Sequence, residues 1–287
     1  MGTNIALFNP FAGCGSGEKQ AHRLDKYSLA GGVKYVDITS VEDYRTFFET
    51  LAADDEIIVC GGDGTLHRFI NATDEIEYMQ SVYYFACGTG NDFLRDIGKD
   101  SSDGPVCVTE YIKNLPKVTV LGKTYKFLNN VGFGIDGYCT QVGDELREAG
   151  EENINYAAIA VKGLLGGFHR VRATVNVDGQ IKNYKNVWLV PTMKGRFYGG
   201  GMKPTPEQDR NSENGEVSLM VYHTYSKLKA LMVFPSIFQG AHIKHTGMVE
   251  VLKGHNIYVK FDRPCPLQID GETIVGVTEY TVSADCE

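Results

Sequence analysis

What the chain lacks narrows the reading first. No apolar run is long enough to span a bilayer; the longest candidate, 156–168, is interrupted by Lys162 and several glycines. The opening MGTNIALFNP has no basic region ahead of a long apolar stretch, so it reads as a strand and not as a secretory signal. The seven cysteines are scattered and form no C-x-x-C pair, which argues against a disulfide framework or a zinc site and for reduced cytosolic thiols. There is no excess of positive charge: 28 Lys and Arg face 36 Asp and Glu, a net charge of −8 that excludes general nucleic-acid binding. G-x-x-x-x-G-K-[ST] does not occur, and the first 118 residues hold no G-x-G-x-x-G (its one match, 132–137, lies beyond them), so neither an ordinary dinucleotide dehydrogenase nor a P-loop enzyme is indicated.

What is present divides in two. Apolar, β-prone runs at 4–9, 33–38, 56–60 and 82–86 alternate with helical patterns at 18–28, after Thr39 or Ser40 as caps, and from about 65. This βαβα order predicts a mostly parallel sheet with helices on both faces. Beyond about 118 the strands alternate and pair through turns. In 171–177, Val171, Ala173, Val175 and Val177 share a face before the turn pair Asp178-Gly179. Further strands are expected at 186–192, 216–223, 256–261 and 279–283, and helices near 151–166 and 227–238. The predicted fold is therefore a Rossmann-like α/β nucleotide-binding domain, residues 1–118, followed by an antiparallel β-sandwich domain, 119–287.

Four strands of the first part end in NPFAGCGSG (9–17), DIT (37–39), GGDGT (61–65) and CGTGND (87–92). Parallel strands place such ends on one sheet edge, where ligands bind. Glycine lets backbone approach a ligand closely, and loop and helix-start amides hold phosphate oxygens. These tips suit a polyphosphate. Asp63 cannot cradle phosphate directly and is better suited to holding magnesium or its water; Asp92 shares that reading, with helix N-capping as its structural alternative. Near the other end, Asp270-Gly271-Glu272 closes a strand; alternation along extended chain would put 270 and 272 on one side, and a plain D-G hairpin turn is the rival reading. Between 157 and 200 lie seven Lys and Arg with one acid, Asp178, either as solvated strand faces or as a surface for phosphate or anionic membrane.

NPFAGCGSG, GGDGT, GTGND, FLNNVGFGID (127–136), GGGMKPTPEQ (199–208) and QIDGET (268–273) stand in an order and spacing that resemble the diacylglycerol kinase catalytic family over nearly the whole chain. The resemblance implies a nucleotide domain, a β-sandwich domain and a cleft between them, with ATP and Mg²⁺ as cofactors. It implies nucleotide contacts at Asn9, Pro10, Gly13, Thr39, Gly61, Gly62, Gly64, Thr65, Thr89, Asn91 and Asp92. It places Asp63, Asp92 and Asp136 in a carboxylate network near the metal, makes Glu272 the proton acceptor with Asp270 beside it, and offers Glu213 for a second, structural magnesium. It implies a lipid substrate at the membrane surface, a cytoplasmic and peripheral location, and leaves a homodimer open. Two departures stand out. His67 and Arg68 occupy the places of the family's Asn-Glu, and PEQ with SENGEVS replaces its P-x-A and Asp-Asp-Gly segments. The expected activity is ATP-dependent phosphorylation of a hydroxyl on diacylglycerol or a related lipid. The rivals are a kinase for a sphingoid base, a phosphatidylglycerol-type lipid or NAD, and a nucleotide-binding sensor without catalysis.

Overall fold

A computed structural model describes residues 2–88, 91–151 and 154–284. The chain forms two compact units, Met1–Asn114 and Leu115–Glu287.

The first unit holds β1 (Asn4–Phe8), β2 (Val33–Asp37), β3 (Glu56–Gly61), β4 (Ser81–Ala86) and the short β5 (Val106–Cys107), in the order β2-β1-β3-β4-β5. The first four are parallel and β5 is antiparallel to β4. β1 is buried at every position and β3 at all but its first. That is why both read as unbroken apolar runs: each has both faces covered. On one face Ala6, Phe8, Ile58 and Phe85 pack with Ala21 and Leu24. The expected cap at Thr39 or Ser40 is not used. Asp37 accepts from the Thr39 amide and starts a 3₁₀ turn, and Asp43 caps the helix Tyr44–Glu49 through the amides of Arg45 and Thr46. The acid directly before the apolar-periodic run wins the cap. The helix expected over 18–28 is instead a short α segment, Gly17–Ala21, followed by a 3₁₀ turn, His22–Lys26.

The second unit holds β6 (Lys117–Val120), β7 (Lys123–Lys126), β8 (Asn130–Gly134), β9 (Val171–Val177), β10 (Gln180–Met193), β11 (Val217–His223), β12 (Val249–Gly254), β13 (Asn256–Ile269) and β14 (Glu272–Ser283). All its pairings are antiparallel. β10 and β13 are long and shared. Each pairs with β9 along its first part and with β8 along its second, so β8, β10, β9 and β13 form a closed ring. Phe133 and Phe261 stack at 3.8 Å inside it, with Tyr280 edge-on to Phe133; burying each such ring contributes about 1.5–3 kcal/mol. Three hairpins turn on a residue pair with both φ positive, Leu121-Gly122, Asp178-Gly179 and Asp270-Gly271, the type I′ geometry that fits strand twist. The longest helix, Ile135–Glu148, sits between β8 and β9 in sequence and was not anticipated. Its glycines hid it. A Cβ on Gly137 would lie 2.1 Å from the Pro266 carbonyl oxygen, so the helix touches β13 through bare backbone. No described helix is long and apolar enough to cross a membrane.

Candidate functional site

In the first unit the tips of β1, β3 and β4 end in register: Phe8 lies beside Cys60, Cys60 beside Phe85, and Gly61 beside Ala86. β2 flanks β1 on one side and β3 on the other, so the order reverses at β1, and the carboxyl ends of β1 and β3 are where sheets of this kind bind ligands. At three positions of these loops a side chain would meet close neighbours. A Cβ on Gly61 would sit 2.4 Å from Thr65 Oγ1, and one on Gly88 would sit 3.3 Å from Gly62 Cα. A Cβ on Gly17 would fall 1.8 Å from the Asn9 carbonyl oxygen. The Cys87 amide donates to the Gly61 carbonyl at 2.8 Å, which locks two of the loops together. Gly62 caps the helix Asp63–Ala72 without a side chain, so Gly64 stands in the first turn at the positive end of the helix.

The described residues among those expected at the nucleotide stand as follows. Asn9 Oδ1 accepts from the Phe11 amide at 3.0 Å. Pro10 follows it, and Gly13 lies in the helical turn Ala12–Gly15. Thr39 is exposed at the end of β2 and gives its hydroxyl to Asp37 at 2.7 Å. Thr65 is buried against Gly61. Asn91 donates to the Gly88 carbonyl at 3.0 Å. Thr89 lies outside the described residues.

The acids of this unit are organised across the loops. Asp63 Oδ2 accepts from the amides of Asp92 at 2.8 Å and Phe93 at 3.3 Å. Asp92 therefore does not cap its own helix; Asp63 does so from the neighbouring loop. Tyr84 donates to Asp63 Oδ1 at 3.4 Å. Burial, then the Asp63 charge, pushes the Tyr84 hydroxyl well above its ordinary range, so it stays a donor. Asp92 is buried and 3.6 Å from Arg95. Among the described residues no group of three or more His, Cys, Asp or Glu stands ready to hold a metal. Magnesium does not need one: it takes one or two carboxylates, keeps several waters and shares substrate phosphates. Asp63 and Asp92, joined through the Asp92 amide, fit that requirement.

In the second unit Asp270 and Glu272 do not share a side by alternation, as expected from extended chain. Asp270 has φ +47° and Gly271 +95°, so the backbone turns at both. The Asp270 carboxylate is buried and accepts from three successive amides, Leu128 at 2.5 Å, Asn129 at 2.7 Å and Asn130 at 2.9 Å. Asp178 repeats the device in its own turn, accepting from His255 and Asn256. Glu272, the first residue of β14, pairs with Ile269 and is half-buried. Gln268, which the sequence did not single out, joins this turn to Asp136. Its Nε2 donates to Asp136 Oδ2 at 2.9 Å and its Oε1 accepts from the Gly271 amide at 2.7 Å. Asp136 is in the second unit, whereas Asp63 and Asp92 are in the first.

Burial pushes the Asp136 carboxyl up to about 7, with the Gln268 bond opposing the shift. The native state thus holds this proton more tightly than the unfolded chain does between roughly pH 4 and 7, and the stability it contributes is lost as pH rises through 7. Asp136→Asn should remove that loss. Urea titrations at pH 5 and pH 8 should show the variant less sensitive to pH than the parent, by up to about 1.4 kcal/mol per pH unit inside the window. Equal slopes would count against the shift.

Glu213 is exposed in the 209–216 turn. Beside it, carbonyls suited to a cation are already engaged: Gln208 Nε2 donates to those of Lys194, Asp209 and Glu216 at 3.0–3.3 Å. Gln208 is itself held by Ser218. An amide thus gathers oxygens at this departure from the expected pattern. Chelation by EDTA should leave the melting temperature unchanged, while Gln208→Ala should destabilise by about 2–3 kcal/mol; a melting point that drops with EDTA would restore a metal here.

Comparison with known proteins decides the lineage. The diacylglycerol kinase catalytic domain profile matches residues 4–123, and the YegS C-terminal NAD kinase beta sandwich-like domain profile matches 129–284. The chain belongs to the diacylglycerol kinase catalytic family. A Mycobacterium tuberculosis diacylglycerol kinase is 25% identical, with 93% of this chain and 91% of the relative covered. A Bacillus subtilis diacylglycerol kinase is 22% identical, with 93% and 88% covered. A crystal structure from Bacillus anthracis shares the fold with a TM-score of 0.70 at 17% identity, covering 98% of this chain and 91% of that one.

Membership in this lipid kinase family implies a kinase that uses ATP. It also sharpens the departures. His67 is buried within its helix, where its carbonyl accepts from Asn71 Nδ2 at 3.0 Å, whereas Arg68 is exposed. The two unusual residues of this diacylglycerol kinase family member therefore occupy different environments.

Proposed function

We propose that the protein transfers the γ-phosphate of ATP to a hydroxyl of diacylglycerol or a closely related lipid, with magnesium. The observation that carries this reading is the in-register, glycine-lined tips of β1, β3 and β4 on a chain of the diacylglycerol kinase family. Phosphoryl transfer asks the protein mainly for positioning and charge neutralisation. The Asn9 loop, the 61–65 loop and Asn91 hold the nucleotide, with Thr39 at its rim. Asp63 and Asp92 would hold magnesium, which would neutralise phosphate charge. The acceptor oxygen forms a bond to the γ-phosphorus, the bond to the β-phosphate oxygen breaks, and ADP leaves. Glu272 takes the hydroxyl proton. Asp270 positions the turn that presents Glu272, and Gln268 ties that turn to Asp136.

The test is a panel of acceptors with labelled ATP and magnesium in mixed micelles: diacylglycerol, a sphingoid base, a phosphatidylglycerol-type lipid and NAD. The expected product is labelled phospholipid from diacylglycerol. Product from another acceptor alone would reassign the substrate. Saturable ATP binding with no product from any acceptor would make the protein a nucleotide sensor.

A further inference from the structure

Two neighbouring segments of the second unit present large apolar side chains on their outer as well as their inner sides. In the helix Tyr156–Lys162 and the π-helical turn Gly163–Gly167, Ile159 and Leu164 are buried, yet Val161 and Leu165 are 43% and 58% exposed. In the helix Lys227–Val233, Ala230 and Val233 are buried, yet Leu228 and Met232 are 67% and 64% exposed. Both outward pairs are spaced i,i+4, so each forms one face. Lys227 Nζ donates to the Leu165 carbonyl at 3.0 Å and ties the segments together. Tyr225 is 80% exposed beside them, with the Arg170 guanidinium 5.2 Å from its ring.

Charge separates this surface from the rest of the molecule. Lys162, Lys227 and Lys229 are exposed around the apolar pairs. Neither 154–170 nor 223–240 contains an acid, in a chain with 36 of them and a net charge of −8. Exposed apolar side chains flanked by lysines, on two segments that carry no acid of their own, match the boundary between acyl chains and anionic headgroups. A protein partner would call for no such exclusion of acids. We propose that this face docks on an anionic bilayer surface, with Val161, Leu165, Leu228 and Met232 entering the headgroup boundary and the lysines meeting lipid phosphates. The assignment deepens the lipid-kinase reading by locating where the chain meets its substrate's membrane, but its test uses no nucleotide.

The test is sedimentation with vesicles of phosphatidylcholine and phosphatidylglycerol at 7:3, or of phosphatidylcholine alone, in low and high salt. The wild-type protein should bind the anionic vesicles more tightly, and salt should weaken binding. Leu165→Glu with Leu228→Glu should weaken it by about tenfold or more. Lys162→Ser and Lys229→Ser should each weaken it about fivefold. Val161→Ser with Met232→Ser gives a second variant should the first fail to fold. Wild-type protein without affinity for anionic vesicles, or a folded variant that binds as the wild type does, overturns the assignment. A dimer in light scattering that Leu228→Glu makes monomeric overturns it as well and gives the face to a second copy. Vesicle binding with no labelled product from any acceptor leaves the docking face standing and removes the reaction.

Discussion

Asp270→Ala should destabilise the second unit by about 4–6 kcal/mol, the largest single effect expected from the turn at 270–271. The carboxylate is buried and accepts from three amides in a row, 140–142 residues away in sequence. Bonds to a charged acceptor contribute about 1.5–3 kcal/mol each, and deleting the acceptor strands three buried donors. For a unit of this size that corresponds to a melting-temperature drop of roughly 10–20 °C. Asp270→Asn keeps one carbonyl oxygen and tolerates the left-handed backbone, so it should lose about half as much. Asp178→Ala is the internal control: it serves two amides in an exposed setting and should lose only about 1–2 kcal/mol. Calorimetry of the three variants checks the order; an Asp270→Ala unit that melts with the parent would deny the carboxylate this role.

Glu272→Gln tests the chemistry with little disturbance of the structure. The substitution keeps the shape of the side chain and removes its capacity to take a proton at neutral pH. If Glu272 is the base, kcat should fall by about 10²- to 10⁴-fold, or about 3–5 kcal/mol of barrier. KM for ATP should hold, because the nucleotide loops belong to residues 9–17, 61–65 and 87–92. The melting temperature should stay within the effect of an ordinary surface change, about 0.5 kcal/mol. Undiminished turnover would move the proton to another acceptor and leave Glu272 as a strand residue.

Much of this was legible because local chemistry and tertiary setting agree. β1 and β3 are apolar throughout because both faces are buried, and glycines mark their ends because neighbouring loops press within van der Waals contact. The Asp178-Gly179 turn followed from its dipeptide. What stayed hidden depends on distant partners. Gly137 and Gly143 argue against a helix until Pro266 and Tyr156 are seen to require them. β13 reads as a shorter strand because Pro264 and Pro266 interrupt its pattern, and the register shifts between Lys260 and Cys265 absorb the break; β10 runs through Pro191 as expected but begins six residues earlier, at Gln180. The destination of the Asp270 carboxylate could not be read at all, since nothing near residue 270 names residues 128–130. The nucleotide tips lie together on the first sheet, whereas the expected acids are divided between the units, Asp63 and Asp92 in one and Asp136, Asp270 and Glu272 in the other.

The shared strands of the second unit also set the order in which it can be made. The first sheet is assembled from pairings complete by residue 107, so it can form while the ribosome is still translating the rest. β8 is synthesised early but must wait for β10 and then for β13 before its two neighbours exist, and the anchor at Asp270 arrives last. Such distant pairings make for slow folding. A nascent chain halted before Ile269 therefore carries β8 with an unmatched edge, and shortening the chain there should yield material for chaperones and proteases in place of a smaller working unit.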